Sequence, residues 1–187
     1  MATVRPGSKA VLLVVDAQVG VIQAAWQSRL VIENIRLAVD KARRERVPVI
    51  WVQHSDEELL HGRSEWQLVP ELTPAQGEMQ IDKHYNSSFE ETRLEGSLAS
   101  LGASHIYLAG AATNWCIRAT AYGALERGYD LTLIEDAHTT ETLELEDGTR
   151  IVAADIVGEL NTVITWLSYP GRVNRTAAVT QVDFNPA

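Results

Sequence analysis

Four stretches of this chain are nearly continuous apolar runs rich in β-branched residues. They are AVLLVV (Ala10–Val15), VPVIWV (Val47–Val52), HIYLAG (His105–Gly110) and DLTLIE (Asp130–Glu135). A strand with one wet face alternates polar and apolar residues; a continuous run belongs to a strand covered on both faces. Parallel sheets sandwiched between helices meet that requirement, so the runs predict an α/β protein.

The segments between the runs carry the helices such a sheet needs. In RLVIENIRLAVDKARRERV, residues Leu30, Ile35, Ala38, Val39 and Ala42 fall on one face with charges opposite. In EETRLEGSLASLGASH, Leu94, Leu98 and Leu101 recur at helical spacing, and Gly102 supplies a left-handed stop. Gly128 plays the same part in LERGYD. A last helical pattern runs from about Arg150 to Ser168 and is broken by Tyr169–Gly171, with AAVTQVDF (Ala177–Phe184) as a final strand. Between Ser55 and Gln80 the pattern lapses around Trp66, Pro70 and Pro74, which predicts a long loop over the sheet edge. The expected architecture is a Rossmann-like three-layer α/β/α fold, one parallel sheet flanked by helices on both faces, as a single domain over residues 1–187.

Composition narrows the function. The chain of 187 residues has a formal net charge of −9 and no basic run. Nucleic acid, which selects clustered Lys and Arg, is therefore not an expected partner. A single cysteine cannot form an internal disulfide and suits a reducing compartment. No apolar stretch approaches the ~18 residues of a membrane span, and MATVRPGSKA has no apolar signal core, so a cytoplasmic location and no membrane partner are expected.

Open parallel sheets bind ligands beyond the carboxyl ends of their strands. At that rim this chain places Asp16 (LLVVDAQ), then Gln53, His54 and Asp56 (VQHSDEE), then Lys83 and His84 (DKHYNSSF), and finally Cys116 (GAATNWC). A carboxylate, an amine and a thiol thus converge from separate parts of the chain. Singly, each has an ordinary explanation as a cap, a surface charge or a small buried hydrophobe. The small residues Ala109 to Ala112 ahead of Cys116 shift that balance, because they let backbone N–H groups approach a ligand. A thiol at a helix start is also expected to have a lowered pKa.

LLVVDAQ, DKHYNSSF and GAATNWC, in this order, resemble the isochorismatase-like cysteine hydrolases, a family that includes nicotinamidases and N-carbamoylsarcosine amidase. The strongest of them is GAATNWCIRATAYGALERGYDLTLIEDAHTT. The resemblance implies a catalytic triad of Asp16, Lys83 and Cys116, a cis Ala111–Ala112 peptide, and an oxyanion hole from the backbone N–H groups of Ala112 and Cys116. It implies hydrolysis of a small amide or related C–N bond through a thioester, without a cofactor. The family's vinyl-ether hydrolases lack the cysteine, so Cys116 favours the amide branch. Homo-oligomers are common among relatives, and the Ser55–Gln80 loop is a candidate to cover a neighbour's site.

Two positions depart from the family pattern. Asn114 replaces an acid in T-D-x-C, and VQHSDEE reverses the D-x-H order of the nicotinamidase metal site, so no metal is expected. Gln18, Trp26, His54, Tyr85 and Trp115 flank the motifs and are candidate pocket residues for a small-molecule substrate. Two readings compete with catalysis: a non-catalytic binding module on the same fold, and a thiol redox sensor, which would lack a resolving cysteine in this chain.

Overall fold

Strand β1 (Lys9–Val15) shows why the sheet is covered on both sides. Val11, Leu13 and Val15 enter one apolar cluster and Leu12 and Val14 enter another, and all five are wholly buried. A computed structural model of the chain describes Ala2 and residues 4–184. Met1, Thr3 and residues 185–187 of the expected domain lie outside the described residues.

After β1 come a short helix α1 (Val19–Ile22), the long helix α2 (Ser28–Arg44) and strand β2 (Val49–His54). The chain continues through β3 (Met79–Lys83), α3 (Leu94–Leu101), β4 (Ala103–Ala111), a π-helical turn over Thr113–Ile117, and α4 (Arg118–Glu126). It ends with β5 (Asp130–Thr139), a small hairpin of β6 (Leu143–Glu144) and β7 (Arg150–Ile151), α5 (Ala153–Trp166), β8 (Asn174–Ala177) and a 3-10 turn over Val179–Gln181.

Six strands form one sheet in the order β3-β2-β1-β4-β5-β8, every neighbouring pair parallel. Helix α2 covers one face with Val31, Ile32, Ile35, Ala38, Val39 and Ala42. Helices α3, α4 and α5 cover the other, through Leu94 and Leu98, Ala121 to Leu125, and Leu160 and Ile164. This is the three-layer α/β/α arrangement expected from the four runs, and Gly102 adopts the left-handed stop that ends α3.

Three local expectations are corrected. Strand β3 lies outside the four apolar runs and begins within the expected Ser55–Gln80 loop, because only Ile81 and Lys83 of its five residues are buried. The final strand is Asn174–Ala177 rather than Ala177–Phe184; Phe184 instead packs its ring against Tyr107. Leu30 is 54% exposed, and the apolar face of α2 runs through Val31 and Ile32 instead.

Strand order reverses between β1 and β4: the chain builds outward to β2 and β3 on one side, then returns to build β4, β5 and β8 on the other. Such a switch point leaves a crevice beyond the strand ends. In register, Val15 pairs with both Val52 and Gly110, and His54 pairs with Lys83. Residues following β1 and β4, and those ending β2 and β3, therefore share one rim.

Candidate active site

Asp16 follows β1 directly, and its backbone N–H donates to Val52 O at 2.8 Å. Its φ of 51° lies in the left-handed region, a conformation that Asp tolerates better than most residues. Lys83 is the last residue of β3 and is fully withdrawn from solvent. Its Nζ stands 2.7 Å from Asp16 Oδ2 and donates to Cys116 Sγ at 3.2 Å. The third direction of the ammonium meets His54 Nδ1 at 3.3 Å. Asp16, Lys83 and Cys116 are thus brought together at the crevice between β1 and β4.

Cys116 lies in the π-helical turn that leads into α4, where Ala112 O accepts from the N–H groups of both Trp115 and Ile117. The Ala111–Ala112 peptide is cis, at the position the family resemblance indicates. The turn is pinned from β5. His138 Nδ1 bonds Thr113 Oγ1 at 2.9 Å, and Thr140 Oγ1 donates to Asn114 Oδ1 at 2.6 Å. Between them Thr139 Oγ1 donates to Trp26 O, so three successive side chains tie down the thiol's turn and the Trp26 loop. Asn161 Nδ2 donates to Glu135 O, which leaves its Oδ1 to accept from His138 Nε2. Nε2 of His138 therefore carries a proton, and Nδ1 is free to accept from Thr113 in the neutral ring. Burial favours that neutral form, pulling its pKa down to about 4. This support was missed in the sequence, although its residues stand in the HTT triplet that closes the longest motif.

Electrostatics correct the expectation of a lowered thiol pKa. Burial pushes the Cys116 thiol up to about 12; the nearby Asp16 carboxylate adds to the effect and Lys83 opposes it. Asp16 is also raised above the ordinary carboxylate range, chiefly by burial, with Lys83 drawing it back. The helix start does not outweigh desolvation here. A thiol raised this far rests protonated, and Asp16, whose carboxylate is among the groups that raise it, keeps Oδ1 buried outside the Lys83 ion pair.

The pocket candidates divide. Trp26, Tyr85 and Trp115 are 36%, 48% and 53% exposed. Gln18 is wholly buried, and its amide is spent on backbone: Nε2 donates to His54 O and Trp66 O, while Oε1 accepts from His54 N–H. His54 turns its ring toward Lys83 and Asp56. No group of three or more metal-ligating side chains occurs among the described residues.

Residues 10–166 match the isochorismatase domain family model. The chain belongs to the isochorismatase family. Among curated relatives of this isochorismatase-family hydrolase, YddQ of Bacillus subtilis, itself an uncharacterized isochorismatase family protein, is 34% identical over 67% of this chain and 71% of its own length. Nicotinamidase 3 of Arabidopsis thaliana is 27% identical over 77% of this chain and 80% of its own. The crystal structure of an isochorismatase from Pseudomonas putida KT2440 superposes with a TM-score of 0.84 at 27% identity, covering 95% of this chain and 93% of that one.

Proposed function

We propose that this protein hydrolyses a small amide or related C–N bond through a covalent thioester on Cys116. The observation that carries the reading is the buried Lys83 ammonium, 2.7 Å from Asp16 Oδ2 and 3.2 Å from Cys116 Sγ at the sheet's switch point. Similarity to a relative named as a nicotinamidase supports the reaction class.

A thiol with a pKa near 12 does not wait as a thiolate. In this reading the proton leaves Sγ for Asp16 Oδ1 as the sulfur closes on the substrate carbonyl carbon. Lys83 steadies the carboxylate and the developing negative sulfur together. The carbonyl oxygen takes up the electron pair, and the backbone N–H groups of Ala112 and Cys116 are proposed to hold it; one such donor is worth ~3–4 kcal/mol in other hydrolases. The tetrahedral adduct collapses by breaking the C–N bond, and Asp16 gives its proton to the leaving nitrogen. Asp16 then takes a proton from water, whose oxygen attacks the thioester carbon. The acid product leaves, and the proton returns to Sγ.

Trp26, Tyr85 and Trp115 supply apolar surface at the mouth in this scheme. A redox-sensing role is disfavoured by the same raised thiol, since oxidants react with the thiolate. A panel of small amides, cyclic amides and ureas, read by release of ammonia or amine, tests the proposal against Cys116→Ala. Release from at least one substrate by the native protein, and none by the variant, is expected. Equal release by both would remove the covalent mechanism.

A further inference from the structure

Lys83 has three N–H bonds to place and no solvent to place them in. Two go to Asp16 and Cys116; the third meets the ring of His54 at Nδ1. An ammonium has no lone pair, so this contact is attractive only if Nδ1 is bare and accepts. The proton of a neutral His54 must then sit on Nε2.

Asp56 enforces that choice. Its Oδ2 lies 2.9 Å from His54 Nε2, while Oδ1 accepts from the N–H groups of Glu58 and Leu59 at 2.8 and 2.7 Å. The two backbone donors fix which way the carboxylate faces, and they leave Oδ2 for the imidazole. Those bonds, the one from Leu59 foremost, also hold Asp56 below the usual carboxylate range, so it is ionised at neutral pH. The His54 backbone is equally constrained, since Gln18 engages both its N–H and its C=O.

We infer that His54 and Asp56 form a positioning pair for Lys83: Asp56 holds His54 in the Nε2–H tautomer, and the bare Nδ1 takes the third ammonium hydrogen so that the other two point at Asp16 and Cys116. This rests on the reading of Lys83 as part of the reactive site and extends it outward by two residues. It also gives a role to the histidine and acid of VQHSDEE that does not involve a metal.

A sharp consequence follows for Asp56→Asn. The two backbone N–H groups would keep the amide oxygen at the Oδ1 position, so the NH2 would face Nε2. An N–H facing Nε2 selects the opposite tautomer and turns an Nδ1–H toward the ammonium. By contrast, His54→Asn would put an amide oxygen close to the former Nδ1 position and restore an acceptor, whereas His54→Leu keeps bulk without one.

Long-range 1H–15N spectra of the histidine-labelled protein at pH 8 read the tautomer directly, with His54→Asn identifying the signal. The expected result is Nε2–H in the native protein and Nδ1–H in Asp56→Asn. Alkylation of Cys116 by iodoacetamide at pH 9 should be slower by about tenfold or more in His54→Leu and Asp56→Asn, the equivalent of one charge-assisted hydrogen bond. His54→Asn should recover most of that loss. An Nδ1–H tautomer in the native protein overturns the proposal, and so does a native alkylation rate in His54→Leu. Neither measurement uses a substrate, so failure to find amide turnover would count against the amidase reading alone.

Discussion

Lys83 Nζ and Asp16 Oδ2 are 2.7 Å apart, and both side chains are buried. Burial raises the Asp16 pKa and Lys83 draws it back. Removing the ammonium in Lys83→Met should therefore raise the carboxylate further and move the acidic limb of the pH–rate profile upward while the turnover rate falls. Breaking one side of a buried pair should also lower stability by ~3–5 kcal/mol. A pH–rate profile on whichever amide the native protein turns over, with urea unfolding alongside, measures both. A downward shift of the limb would refute the pairing.

Because the Cys116 thiol is pushed up to about 12, its reaction with iodoacetamide should quicken roughly tenfold per pH unit from pH 7 to beyond pH 10. Mass spectrometry of the alkylated peptide over time follows the rate. A plateau near pH 8 would mean that Lys83 outweighs burial.

His138 and His105 are buried in neutral form, with pKa values lowered to about 4 and about 3 from 6.5, chiefly by desolvation. A histidine depressed in the folded state leaves the unfolded chain binding more protons between those values, so stability is full above pH 6.5 and falls as the pH drops toward 4. At pH 5 the loss should be about 2 kcal/mol for each histidine. Asp16 acts in the opposite sense, since its raised pKa favours the folded state in acid. Urea unfolding at pH 8 and pH 5 should show the net fall, and ring spectra should show both histidines untitrated at pH 5.

Gly110 has φ 127°, and a Cβ built there would stand 1.8 Å from Val15 O, the residue before Asp16. Backbone cannot yield as a side-chain tip can. Gly110→Ala should cost at least ~2 kcal/mol of stability and separate β1 from β4 where Asp16 and the thiol's turn meet. Thermal unfolding checks the first effect and Cys116 alkylation the second. A native melting temperature would mean that the sheet can open there freely.

Much of the fold is legible because burial on two faces leaves an unbroken apolar signature, as in Ala10–Val15. Where burial is partial the signature fades. Strand β3 exposes Gln80 and Asp82, and all four residues of β8 are half-buried, so neither shows an unbroken apolar run. Asp16, Lys83 and Cys116 could be read as neighbours because an α/β sheet sends its strand ends to one rim, although their pairing as a triad rests on the family resemblance. The direction of the thiol's pKa could not, since a chain position near a helix start says nothing about how much water remains. Gln18 and His54 flank motif positions and so read as pocket lining, yet Gln18 spends its amide entirely on backbone groups.

The crossover from β2 to β3 is sewn down along a short seam. Trp66 O accepts from both Gln18 and Gln53, Ala17 O accepts from Val69 N–H, and the carbonyls of Glu65 and Gln67 accept from Gly20 and Val19. Residues 57–64, ahead of the seam, are mostly exposed, and they hold Asp56 through backbone alone: the N–H groups of Glu58 and Leu59 donate to its carboxylate, and Leu59 O accepts from its N–H. A segment attached in this way can be exchanged like a tool head. Varying the exposed side chains of 57–64, with the backbone bonds to Asp56 and the His61–Trp66 ring contact kept, is expected to change what meets a substrate while Lys83 stays aligned.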